Sequence, residues 1–142
     1  MSFFKDLELG EKYEIKFLKY ISYDTYEKSK GVFKDYDLLI KKDDTQTTYE
    51  IKVDRLAYKT NNICIEYKYK LQPSGIETTK SDYYGYFIIN NYSPDKVYII
   101  PTNYIKQSIN EKKYKKSMSG GDCKKSTFYL FSLDVFNKFL II

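Results

Sequence analysis

The sequence predicts an α/β fold in which an N-terminal helix precedes a central mixed β-sheet flanked by helices. Three observations predict it. Glu14, Phe17, Leu18 and Ile21 recur at i, i+3, i+4 and i+7, which is one face of a helix. Tyr49, Ile51 and Val53 alternate with Glu50, Lys52 and Asp54, the two-residue period of a strand. Further short apolar runs and helix starts, divided by turn residues, then follow one another to residue 140. At 142 residues the chain is expected to form one domain, residues 1–142, large enough to bury a real core. No internal repeat or inter-domain linker is visible.

The elements are expected in the following order. A helix covers about residues 9–21, with its apolar stripe turned to the core. Glu14 lies on that stripe, where a carboxylate is costly unless something compensates it. The alternative is that Glu14 sits at the edge of the stripe and reaches solvent. An apolar run at 35–40 carries Asp37, and residues 41–46 form a turn-rich hairpin connection. The strand at 49–54 follows, then a turn at 60–62 and a third strand at 63–69. In that strand Ile63, Ile65 and Tyr67 share one face, while Cys64, Glu66 and Lys68 share the other. Residues 72–76 read as a loop, and 78–84 as a helix start with Thr or Ser as N-cap. Strands at 86–89 and 96–100, a helix through 103–109, a strand at 127–131 and a short helix at 132–140 complete the chain.

The strand at 49–54 carries the chemistry. Alternation sends Glu50 and Lys52 to one face. Glu50 can hold a divalent metal through oxygen, and Lys52 can aim its charge at a phosphate or at a water beside that metal. Asp37 is the candidate upstream acid. In a regular antiparallel hairpin with Asp37 opposite Lys52, Leu39 lies opposite Glu50, and Asp37 and Glu50 become diagonal neighbours on one face. A one-residue slip would send Asp37 to the other face. The plain alternative is a solvated strand face on which Glu, Lys and Asp alternate with core residues. Glu66 would join the acids if its strand paired beside the second; otherwise it lies behind them or on the surface.

Composition narrows the chemistry. The chain has no His, which excludes Ser-His-Asp and Cys-His nucleophile systems and His-ligated metals. Acid–base work must then fall to carboxylates, Lys, Tyr or metal-bound water. Cys64 and Cys123 are the only cysteines, too few for a zinc site without His, and read as free thiols in a reducing compartment. No apolar run approaches the ~18 residues of a membrane span, and no signal peptide is visible, so a cytoplasmic protein is expected. The net charge of +5 favours an anionic partner only mildly, because Lys, Ile, Asn and Tyr are abundant throughout.

Asp37, then about a dozen residues including a hairpin, then Glu50-Ile51-Lys52, resembles the core motif of the PD-(D/E)xK nuclease superfamily. The resemblance extends further along the chain. Pro73-Ser74-Gly75-Ile76 followed by Thr79-Lys80-Ser81-Asp82-Tyr83 is similar to the segment that follows the active strand in small phage- or virus-type members, whose core is Holliday-junction-resolvase-like. Ser81 replaces the Ala of that segment, and Tyr36 replaces the Pro before the first acid. A weaker echo lies in Ser119-Gly120-Gly121-Asp122. The resemblance implies a restriction-endonuclease-like core and a metal-dependent DNA endonuclease acting in recombination, repair or processing. It implies Mg²⁺ or Mn²⁺ held by Asp37, Glu50 and the backbone carbonyl of Ile51, with Lys52 acting on the water or the phosphate. Glu14 would supply the helix carboxylate that recurs beside the metal acids, binding a second ion or positioning the metal shell. Duplex or branched DNA is the implied substrate, and homodimers are common among such nucleases because two nicks need two sites.

A basic segment remains. Lys112, Lys113, Tyr114, Lys115 and Lys116, followed by Gly, Ser and further Lys to residue 125, read as a mobile loop. It can track a phosphate backbone, with Tyr114 stacking on a base and Lys80 as a further phosphate contact. A solvated surface loop is the alternative. The rivals to the nuclease reading are a nucleic-acid-binding module that keeps the fold without catalysis, and a small partner-binding scaffold.

Overall fold

The computed structural model describes residues 3–29, 35–120 and 125–142, and of residues 3–7 only the backbone. It is a mixed α/β structure built on a five-stranded mixed sheet. Helix α1 spans Phe3–Phe17. It ends earlier than its apolar stripe, because the chain tightens into a 3₁₀ turn at Leu18–Tyr20 and turns extended at Ile21. Strand β1 (Thr25–Lys28) is not expected from the sequence; it pairs antiparallel with β2 (Leu38–Lys42), which pairs antiparallel with β3 (Thr45–Asp54). The hairpin turn is only Asp43 and Asp44, shorter than the expected 41–46. Asp43 takes a left-handed φ of 52°, and its N–H donates to Asp24 Oδ2 at 2.7 Å.

The antiparallel meander is therefore β1–β2–β3, and of the two alternatives left open for the 63–69 strand, it takes the one in which it does not pair beside β3. Asp54 explains the departure. Its Oδ1 accepts the N–H groups of Leu56 and Ala57, both at 2.8 Å, and so caps a single helical turn, α2 (Ala57–Thr60). Asn61 then reverses the chain at a φ of 58°. Strand β4 (Asn62–Tyr69) consequently leaves for a second, antiparallel sheet, pairing with the short β5 (Gln72–Pro73) on one side. After a 3₁₀ turn at Gly75–Glu77 the chain returns as β6 (Tyr83–Ile88), parallel to β3, followed by the antiparallel β7 (Lys96–Pro101). The order of the first sheet is β1-β2-β3-β6-β7.

The expected helix start at 78–84 is extended chain instead. Asp82 does not cap its own segment; its Oδ2 accepts the N–H of Thr48 at 2.9 Å, and its own N–H donates to the Thr48 carbonyl at 2.9 Å. The polar run thus ties the start of β6 to β3. Helix α3 (Thr102–Asn110) follows β7. Strands β8 (Lys116–Gly120) and β9 (Ser126–Ser132) complete the second sheet in the order β5-β4-β9-β8. Within the basic segment, residues 116–120 are therefore strand, and residues 121–124 lie outside the described residues. The expected C-terminal helix is a 3₁₀ segment, Leu133–Phe139. Cys123 and the Gly121-Asp122 part of the weaker echo lie outside the described residues.

Two cores share the first sheet. On one face α1 buries Tyr13, Phe17 and Leu18 against Leu38, Ile40, Tyr49, Ile51 and Phe87. The Phe17 ring sits 5.0 Å from that of Tyr49, and Tyr13 packs edge-on to Phe87 at 4.8 Å. On the other face Tyr84, Tyr86, Ile88, Tyr98 and Ile100 pack against Ile63, Ile65 and Phe131 of the second sheet, with Ile105 and Phe136. Helices are expected on both faces; a second sheet covers most of one. That placement matters for the site, because β4 now approaches the face of β3 that carries Glu50 and Lys52.

Candidate active site

Strand β3 positions two side chains by period alone. Tyr49 and Ile51 enter the α1 core, so Glu50 and Lys52 point to the opposite face, alongside their β6 partners Tyr84 and Tyr86. Lys52 Nζ stands 3.8 Å from Glu50 Oε1, with the Glu50 side chain 17% and the Lys52 side chain 44% exposed. A pair this open contributes under about 1 kcal/mol to stability, so its value is positional.

Asp37 arrives by a different route from the one expected. Leu38 is the partner of Tyr49, and the Asp37 N–H also reaches the Tyr49 carbonyl at 2.9 Å. Two residues of the β2 side thus oppose one of β3, as in a β-bulge. Asp37 is not opposite Lys52, and strand parity no longer fixes its face. Its carboxylate instead continues the ladder: Oδ2 accepts the Ile51 N–H at 2.7 Å where β2 has no further strand residue to offer. Backbone N–H groups lie in the sheet plane, so this oxygen does too. In an extended strand the N–H and C=O of one residue face the same edge, so the Ile51 carbonyl is directed to the same side as Asp37. The bond also offsets the cost of desolvating a buried carboxylate, Asp37 being 8% exposed.

Glu14 is buried on α1 among Tyr13, Phe17 and Leu18, at 6% exposure, which resolves its alternatives in favour of the core. It lies on the α1 side of the sheet, while Glu50 lies on the other. The in-plane Asp37 oxygen stands between those two faces.

Glu66 does not pair beside β3, yet it reaches the same place. Lys52, Cys64, Ile65, Glu66, Gly75 and Tyr84 line one cleft of about 130 Å³. Ser74 Oγ donates to Glu66 Oε2 at 3.0 Å and fixes the carboxylate. The Tyr84 phenol, 2% exposed, is pushed well above the usual tyrosine range, first by burial and then by the fields of Glu50, Glu66 and Asp37. Tyr84, Ser74 and Gly75 are not singled out as site residues by the sequence; the only signal is the Ser-Gly pair in the loop after β4. Cys64 is an exposed free thiol on the rim.

The expected phosphate contacts divide. Lys80 is tied to the segment that leads into Asp37: its N–H donates to the Asp35 carbonyl at 3.0 Å, and its Nζ is 3.7 Å from Asp35 Oδ2. Lys112 and Lys113 close α3, their N–H groups donating to the Ile109 and Ser108 carbonyls at 3.0 Å. Lys115 and Lys116 lie along the second sheet, the Lys115 N–H donating to the Leu130 carbonyl at 2.7 Å. Lys113 pairs with Glu111 at 3.5 Å and Lys115 Nζ donates to Asn62 Oδ1 at 2.7 Å. Tyr114 lies against the aromatic residues of β9. Its ring is already tilted against Tyr129 at 4.6 Å and packs edge-on to Phe131 at 6.1 Å.

Among the described residues, no group of three or more His, Cys, Asp and Glu side chains is gathered so as to hold a metal ion. A divalent ion here would rest on the Asp37 and Glu50 carboxylates and the Ile51 carbonyl. That all-oxygen set suits Mg²⁺ or Mn²⁺, since Mg²⁺ is commonly held by one or two carboxylates and keeps water and substrate phosphate as its other ligands. No protein-family model matches the chain, and neither does any curated protein or solved structure. No helix among the described residues is long and apolar enough to cross a membrane.

Proposed function

We propose that the protein is a metal-dependent DNA endonuclease with a restriction-endonuclease-like core, hydrolysing phosphodiester bonds at the Asp37–Glu50–Lys52 site. The observation that carries this reading is the Asp37 carboxylate completing the β2 edge on the Ile51 N–H at 2.7 Å, beside a Glu50–Lys52 pair of the Glu-x-Lys motif. Asp37, Glu50 and the Ile51 carbonyl would hold Mg²⁺ or Mn²⁺, which when bound supplies Lewis acidity towards the phosphodiester and a lowered pKa for an attacking water. Asp37 is held rigid by its backbone bond, so it presents its charge without reorganising. Lys52, with no oxygen to offer a metal, orients the water or stabilises charge on the phosphate. Glu14 backs the site from the α1 core. Lys80 holds the DNA backbone next to the acids, and Lys112, Lys113, Lys115 and Lys116 extend the basic surface. DNA recombination, repair or processing in the cytoplasm, with a homodimer making paired nicks, fits this activity.

A second reading is a nucleic-acid-binding module without catalysis, favoured by the two-carboxylate rather than three-carboxylate set. A cleavage panel decides between them. With Mg²⁺ or Mn²⁺ at low salt, the protein is expected to cut at least one of duplex, single-stranded and branched DNA, and a chelator is expected to stop it. Binding to DNA with no cleavage of any of the three would leave the module.

A further inference from the structure

The turn between β4 and β5 is built against its own backbone preference. Tyr69 pairs with Gln72, so Lys70 and Leu71 are the two turn residues, with φ of 51° and 67°. A two-residue turn with both φ values positive favours Asn-Gly, because a side chain such as Leu clashes there. Leu71 is also the most exposed of the described large hydrophobics, at 89%. An Asn-Gly turn would remove both costs at once. Residues held in sparsely populated backbone regions cluster at ligand-binding positions. The tip is anchored at its base: the Lys70 N–H donates to the Lys125 carbonyl at 3.0 Å, and Tyr69 is paired on its other side with Ser126.

Its surroundings indicate the ligand. Lys68, Tyr69, Lys70 and Lys125 are all exposed, and Lys70 Nζ lies 5.5 Å from the centre of the Tyr69 ring. An exposed apolar side chain on a turn that also carries exposed cations and an open aromatic ring matches stacked bases flanked by phosphates. The strand that brings Glu66 into the cleft runs on to this tip. Tyr69 is three residues beyond Glu66, roughly 10 Å at the usual strand rise.

We propose that the Lys70–Leu71 turn is a DNA wedge: Leu71 inserts beside an unpaired or poorly stacked base at a branch or duplex end, Tyr69 stacks behind it, and Lys68, Lys70 and Lys125 hold the adjoining phosphates. The proposal rests on the reading that the ligand is DNA, but not on cleavage.

The test uses the full chain in metal-free buffer with branched and plain duplex DNA carrying 2-aminopurine at the pair next to the branch or in mid-duplex. Wild type is expected to raise the branch fluorescence several-fold and to bind the branched form more tightly. Leu71→Asn is expected to lose that rise and about tenfold in affinity for the branch, the low end of what burying one Leu side chain contributes. Lys68→Gln and Lys70→Gln should each lower the salt dependence of binding by about one ion. The double change Lys70→Asn, Leu71→Gly is expected to melt several degrees higher than wild type while losing the fluorescence response. An unchanged response in Leu71→Asn overturns the wedge. So does absence of DNA binding, including the case in which Leu71 instead governs co-sedimentation with anionic vesicles. A wedge response from a wild type that cuts nothing with Mg²⁺ keeps the wedge and removes the nuclease reading.

Discussion

On the proposed reading, Lys52→Ala is expected to lower DNA cleavage by about 10²–10³-fold while leaving Mn²⁺ affinity within about threefold of wild type. The loss is of the size seen when one preorganised group facing the reacting charge is removed. Metal affinity is expected to hold because Lys52 contributes no oxygen ligand. The ammonium stands 3.8 Å from Glu50 Oε1. Removing it takes a competing cation from that carboxylate, so any change in metal affinity is towards tighter binding. Stability changes by less than about 1 kcal/mol, because the Lys52 side chain is 44% exposed and the pair is solvent-screened. Single-turnover cleavage, Mn²⁺ titration and urea unfolding on the same preparation separate the three effects. Wild-type cleavage rates in Lys52→Ala would place the active site elsewhere on the chain.

Gly75→Ala destabilises the protein by about 2–5 kcal/mol, combining a left-handed backbone with a forced contact. Gly75 has a φ of 53°, and a Cβ built there collides with the Glu66 backbone carbonyl oxygen. Backbone cannot swing aside as a side chain can, so the β4 edge must shift, and Ser74 with it. The expected fall in Tm is roughly 5–15 °C for a chain of this length. Gly10→Ala is the control. Gly10 lies in α1 with nothing within 4 Å of its added Cβ, so the substitution is expected to stabilise by about 0.5–1 kcal/mol. A Gly75→Ala protein as stable as wild type, by urea unfolding, would show that the turn at residues 75–77 does not hold Glu66 as described.

How much of this is legible in the sequence depends on whether the signal is local. The shared face of Glu50 and Lys52 follows from strand period, which holds whatever the neighbours are. The burial of Glu14 follows from its place on the stripe with Phe17 and Leu18. Asp37 is found for an incomplete reason. Parity is expected to bring it to the site, but the extra residue against Tyr49 cancels parity, and the Asp37 side chain reaches the site by standing in for missing strand backbone. Nothing in a hairpin pattern announces such a bulge. The departure of β4 is hidden for a related reason. Its alternation specifies two faces but not which strand lies beside it, and the Asp54 cap that diverts it looks like any strand-end carboxylate. The run before β6 misleads because Thr79, Ser81 and Asp82 are good helix caps locally. Asp82 instead bonds Thr48, 34 residues away. Tyr114 and Tyr84 are hard to read in a chain with 17 tyrosines. One is packed on Tyr129 and the other is buried in the core between the two sheets, and tyrosine composition distinguishes neither from a surface ring.

Calorimetric titration of Mn²⁺ into wild type and Asp37→Asn tests the central claim most directly. The side-chain amide of the variant retains an oxygen for the Ile51 N–H, so the β2 edge and the fold survive while the charge is lost. The account predicts that wild type binds Mn²⁺ and that Asp37→Asn binds at least about tenfold more weakly at unchanged Tm. Equal Mn²⁺ affinity in the two proteins, or no binding by wild type, would contradict a metal site on Asp37 and Glu50.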